Sequence, residues 1–203
     1  MADASAVFTP AQVLEPFYAR PAFLFARIDQ ICTALYTELA VDAETLTQAE
    51  FLLVLQALPG LDQITLSRAT GVDKSTVALV VDTLEQRGLI TRTPDPADGR
   101  RLRLQPTRRA GMLTPRVAAA YGALQAKLAE PFKPAELTFL RSILLPLAAN
   151  PMSLAPRWQT QPPDDMEQGN SGQGGGDLSS SLSFLCRRGL QVSHAQFLDC
   201  TAE

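Results

Sequence analysis

GVDKSTVALVVDTLEQRGLITRTPDPADGRR, residues 71–101, is the stretch that decides the fold. Asp73 stands where a helix N-cap belongs, and Val77, Val80, Val81 and Leu84 recur at helical spacing until Gly88 stops the run. Just upstream, Asp62–Thr70 reads as a shorter helix ending at Gly71. Leu66, Ala69 and Val72 complete a shared apolar interior, with Ala69 small where the two helices must approach. Two helices joined by a turn containing glycine form a helix-turn-helix. Downstream, Leu89–Thr93 and Leu102–Gln105 are short β-prone segments. Between them, residues 94–101 carry Pro, Asp and Gly, which supply turn chemistry, so the pair predicts a β-hairpin.

Helices flank this unit on both sides. A first element runs from about Thr9 to Ala40, irregular around Pro16 and Pro21 and regular from about Ala22. There Phe23, Ile28, Ile31, Leu35 and Leu39 predict one buried stripe. A second helix starts at Thr47, read with Glu50 as a capping box, and ends at Pro59-Gly60. After the hairpin, Thr114-Pro115 opens a helix to about Ala129, and Pro134 opens another to about Ala148. Residues 151–181 are rich in Pro, Gln, Gly and Ser, a composition that cannot offset the entropy of ordering. The reading is one domain over 1–150 and a disordered acidic tail over 151–203, in which 182–203 has at most a short helix.

Composition narrows the function. The net charge is −3, but it is unevenly spread. Residues 1–150 balance fifteen basic against fifteen acidic side chains, while 151–203 hold three against six. Residues 87–116 hold eight Arg against two Asp, an excess of six positive charges. That one-sidedness favours a polyanion partner over a solvated hairpin. The three cysteines, Cys32, Cys186 and Cys200, are too few and too widely spaced for a disulfide framework or a zinc site. The single histidine, His194, lies far from the body, so no metal site and no cofactor is expected. No phosphate loop, nucleophile elbow or spaced acid cluster argues for an enzyme. No run approaches a membrane span, and Met1–Pro10 does not resemble a secretory signal, so a cytoplasmic location is expected.

The order of elements, together with residues 71–101, resembles the MarR family of transcriptional regulators. The likeness lies in the Asp73-Lys74-Ser75-Thr76-Val77 start, Leu84-Glu85-Gln86-Arg87-Gly88-Leu89, and a wing ending Asp98-Gly99-Arg100. It extends over about residues 20–148. It implies a mainly α fold with a small β-hairpin wing: a winged helix-turn-helix, with dimerisation helices at about 10–40 and 114–148 and a DNA-binding lobe at about 47–108. The chain departs from the family pattern at Leu79, where many relatives carry Arg, at Ala97 for the first wing Arg, and at Gln105 and Arg108. These departures bear on DNA sequence preference rather than on fold.

Such a protein is expected to bind a palindromic double-stranded DNA operator as a homodimer and to repress until a small ligand releases it. Lys74, Ser75 and Thr76 would meet the major groove. Arg100 at the wing tip would enter the minor groove, and Arg92, Arg101, Arg103 and Arg108 would touch phosphate. The resemblance also implies a small-molecule effector pocket. Residues 17–27 are similar to a branch that answers aromatic acids. Tyr18, Arg20, Phe23, Arg27 and Tyr36 are its candidate residues, Arg to clamp a carboxylate and the rings to cover an aromatic body. Cys32 resembles the sensing cysteine of a peroxide-responsive branch, which keeps open a thiol-based switch on the same scaffold. A winged-helix module that binds protein is the remaining alternative.

Overall fold

The computed structural model describes residues 18, 20–96, 98–148 and 182–187. The elements run α1 (Pro21–Leu39), α2 (Leu46–Ala57), α3 (Gln63–Thr70), α4 (Lys74–Gln86), β1 (Ile90–Pro94), β2 (Leu102–Pro106), α5 (Arg108–Ala129) and α6 (Pro134–Ala148). The fold class is as the sequence reading has it: helical throughout except for one antiparallel hairpin.

The helix-turn-helix follows from its caps. The Asp62 carboxylate accepts from the Thr65 amide at 2.6 Å and opens α3. Gly71, at φ 75°, closes it in the left-handed region that glycine enters without a Cβ clash. Asp73 then accepts from the Thr76 amide at 2.9 Å and opens α4. Leu66, Val77, Val81 and Leu84 bury fully between the two helices and the rest of the lobe. Truncating one of these leucines to Ala would cost about 2–5 kcal/mol. In the hairpin, Arg92 pairs with Leu104 and Ile90 with Pro106. Leu104 and Ile90 face inward, fully buried, while Thr91 and Thr93 face out. Leu104 is also tied to the α2–α3 connection, donating to the Leu61 carbonyl at 2.8 Å and accepting from the Gly60 amide at 2.9 Å.

Two element boundaries and one buried stripe differ from the sequence reading. The capping box of α2 lies two residues earlier, where Thr45 and Gln48 exchange reciprocal bonds of 3.2 Å. Glu50 cannot reach back to Thr47 because its side chain is buried in the core. The fifth helix starts at Arg108 under a Thr107 cap, and Pro115 lies inside it. Pro115 is exposed, and its missing N–H leaves the ladder interrupted at that one turn. In α1 the buried residues are Cys32 and Tyr36, whereas Ile31 is 42% exposed.

The expected tail needs a correction. Residues 151–181 and 188–203, including His194 and Cys200, lie outside the described residues. Residues 182–187, however, form a helical turn packed into the body. Leu182, Leu185 and Cys186 form a second apolar cluster with Leu144 of α6, flanked by Phe25, Ile28 and Leu128. Three apolar side chains in six residues find a matching surface there, which composition averaged over a fifty-residue tail conceals.

Candidate nucleic-acid interface and the regulatory core

The start of α4 presents Lys74 and Ser75 to solvent, with Thr76 half-buried behind them. The Ser75 hydroxyl donates to Asp73, which also holds the Thr76 amide. These bonds hold the Asp73 carboxyl down at about 2, so the cap is charged at neutral pH. Ser75 thus faces outward mainly as an acceptor, and Lys74 is the cation of this edge. Leu79, 69% exposed on the same helix, gives the edge an apolar side chain.

The wing arginines divide into two groups. Arg92, expected on phosphate, instead pairs with Asp82 and Glu85 of α4 and is only 19% exposed. Burial alone would lower its pKa, but the two carboxylates outweigh that and raise it. Arg103 makes a bidentate pair with Asp95, at 2.9 and 3.1 Å. Arg87 bonds the Asp42 carboxylate and the Gln48 amide oxygen at 3.0 Å each. The other group remains available. Arg100 and Arg108 are exposed, and no carboxylate among the described residues pairs with either guanidinium. Arg101 is held only loosely, 3.7 Å from Asp98 and 3.9 Å from Asp62. The excess of six was therefore an overcount, because Asp42, Asp82 and Glu85 lie outside the window that produced it.

Among the described residues, none of the proposed effector residues lines the apolar cavity between α1 and α6. Tyr18 and Phe23 meet edge to face at 5.6 Å. Exposed Arg27 donates to Gln30 at 3.2 Å. Tyr36 is wholly buried and donates to Glu44 at 2.8 Å, so it is part of the core rather than a ligand contact. Burial would raise Glu44, but bonds from Tyr36 and from the Val41 and Asp42 amides outweigh it and lower its pKa. That cavity measures about 460 Å³. Leu24, Ile28, Ile31, Ile143 and Leu147 line it, and it is apolar throughout.

Cys32 does not suit peroxide sensing. It is fully buried, and burial pushes its thiol up to about 12, the opposite of a reactive thiolate. Cys186, expected in a loose tail, is also buried and pushed up to about 12.

One constellation escaped the sequence reading. Glu50 of α2 is 1% exposed. Arg187 reaches it through Nη1 and reaches Asp29 of α1 through Nε at 3.0 Å. Burial raises the Glu50 pKa, against the pull of Arg187. Beside the pair, the Ser183 hydroxyl bonds Tyr121 and Gln125 of α5, each at 2.9 Å. The Leu182 amide donates to the same Gln125 at 3.0 Å. Apolar residues at helical spacing in 182–187 were the only available hint, because the acids that receive Arg187 lie more than a hundred positions earlier.

Among the described residues no His, Cys, Asp or Glu group could hold a metal ion, and no helix is long and apolar enough to cross a membrane. The model of the MarR family matches residues 45–102, from the α2 cap to the second wing strand. No curated protein sequence matches the chain. Solved structures do. A probable transcriptional regulator from Pseudomonas aeruginosa is 29% identical at a TM-score of 0.61, over 64% of this chain and 98% of that one. The PcaV transcriptional regulator from Streptomyces coelicolor, in complex with its natural ligand, is 28% identical at a TM-score of 0.61, over 73% and 97%. A second structure of PcaV is 30% identical at a TM-score of 0.54, over 64% of this chain and 95% of that one. With the helix-turn-helix, the hairpin wing and these matches in agreement, the chain belongs to the MarR family of DNA-binding transcriptional regulators, which are not enzymes.

Proposed function

We propose that this regulator is a homodimeric repressor, acting in the cytoplasm, that holds an imperfect palindromic DNA operator and lets go when a small aromatic or carboxylate ligand binds. The observation that carries this reading is the edge formed by the start of α4 and the wing. Arg92 of β1 pairs with Asp82 and Glu85 of α4, which ties the wing with its exposed Arg100 and Arg101 to the helix whose start exposes Lys74 and Ser75. That arrangement suits a helix in the major groove, a wing tip in the minor groove and phosphates between. Dimerisation is supported by the apolar residues that α1 and α6 leave in solvent: Leu24, Ile31, Phe139, Ile143 and Leu145. A second copy would cover them. The effector is supported by the likeness to PcaV, solved with its natural ligand, and by Tyr18, Arg20 and Phe23 at the start of α1.

The test is an anisotropy titration of duplexes from the regulator's own upstream region against random duplex, at several salt concentrations, repeated with a panel of aromatic carboxylates. Two chains per site, specific binding that weakens steeply with salt, and release by a member of the panel are expected. One chain per duplex, or equal affinity for random DNA, would overturn the reading.

A further inference from the structure

The acids Asp29 and Glu50 belong to the body of the fold, yet the cation that neutralises them comes from a segment beyond residues 149–181. A buried carboxylate without a cation is strongly unfavourable. Glu50 has no other cation among the described residues, and its Oε1 has no hydrogen-bond partner there. α1 and α2 thus present two acids to one cation, and α5 supplies the polar side chains beside them.

The geometry also selects the cation. Asp29 and Glu50 are met by different nitrogens of one planar fork, Nε and Nη1, an arrangement that a point-like ammonium does not reproduce. Next to the fork, Leu182, Leu185 and Cys186 lie on apolar wall from Phe25, Ile28 and Leu128. We propose that the crevice between α1, α2 and α5 is a guanidinium-binding site, filled here by the chain's own Arg187, and that small guanidinium or amidinium compounds with an apolar body bind it in competition with residues 182–187. An occupant on the same chain competes at an effective concentration on the order of millimolar, so free ligands act at or above that range.

Two experiments on the full chain test this, and neither contains DNA, so they stand apart from the repressor reading. In Arg187→Ala the melting temperature falls by roughly 10 °C. Millimolar methylguanidinium restores several degrees, while equal methylammonium or sodium chloride does not, and Glu50→Gln/Arg187→Ala does not respond. Equal responses to all three salts would overturn the proposal. Should Arg187→Ala not fold, Cys186 provides the readout in an otherwise native Cys200→Ser chain. Benzamidine accelerates labelling of Cys186 by a thiol reagent, located by peptide mapping, because displacing residues 182–187 exposes it. A labelling rate unchanged by benzamidine at matched ionic strength would equally overturn it.

Discussion

Arg100 and Arg187 are the same residue type in opposite circumstances. Arg100 is exposed on the wing, where its backbone amide donates to the Asp98 carboxylate at 3.1 Å. Arg187 is 11% exposed and engages two carboxylates. An exposed guanidinium contributes little to folding and is available to an external phosphate. A buried one is fixed in place by the charges it neutralises, and its loss is felt by the whole fold. Charge counted along the sequence does not separate these fates. The partners do.

The largest effect expected from this contrast lies in the buried pair. Arg187→Met should cost about 3–5 kcal/mol, since it strands the buried Glu50 carboxylate, and Glu50→Leu should cost less, since Arg187 keeps Asp29. The double variant should recover most of that loss, as apolar replacements of similar volume often do. A cycle of urea unfolding curves measures it, and strictly additive losses would show that the two side chains are not coupled.

On the wing the order reverses. Arg100→Ala should leave unfolding within about 0.5 kcal/mol of the parent. It should weaken specific DNA binding by roughly 1–3 kcal/mol per half-site and blur any preference for A·T-rich flanks. Duplex titration with circular dichroism as a folding control checks both halves, and unchanged specific affinity would remove the wing tip from the interface.

Arg92 sharpens the comparison, because it lies on the wing yet is paired like a core residue. Arg92→Ala should lower stability by about 1 kcal/mol and leave the salt slope of DNA binding unaltered, whereas Arg108→Ala should lower that slope by about one per site. A drop in slope for Arg92→Ala would return it to the phosphate contacts.

The smallest effect concerns the Asp73 cap. Its folded carboxyl lies near 2 against an ordinary 3.8, so its contribution is complete above 3.8 and is lost as the pH falls through about 2. Asp73→Asn should flatten that acid limb of the melting-temperature profile with little change at neutral pH, since Asn also caps.

Much of the fold was legible because its signals are local. Asp62, Gly71, Asp73 and Gly88 mark helix ends by their own chemistry, and Val77, Val81 and Leu84 mark a buried face by spacing. Where the reading failed, the deciding contact was distant in sequence. Thr47 and Glu50 satisfy the spacing of a capping box, but Glu50 is claimed by Arg187, 137 positions away. Arg92 and Arg87 looked available because Asp82, Glu85 and Asp42 lay outside the counted window. Cys32 resembled a sensor locally, but exposure and thiol acidity depend on what packs over the helix, and here that includes residues 182–187. The candidate DNA edge was legible as a region and not residue by residue.

The paired backbone bonds between Leu104 and residues 60 and 61 have a mechanical consequence. They make the wing a three-point mount, fixed to α2–α3 at one corner, to α4 through Arg92 at another, and to its own return strand. A hairpin mounted this way cannot swing independently of the helix beside it. On the proposed reading, wing tip and α4 would act as the two jaws of a fixed-span caliper, and a duplex whose groove spacing does not match would itself have to deform to be held.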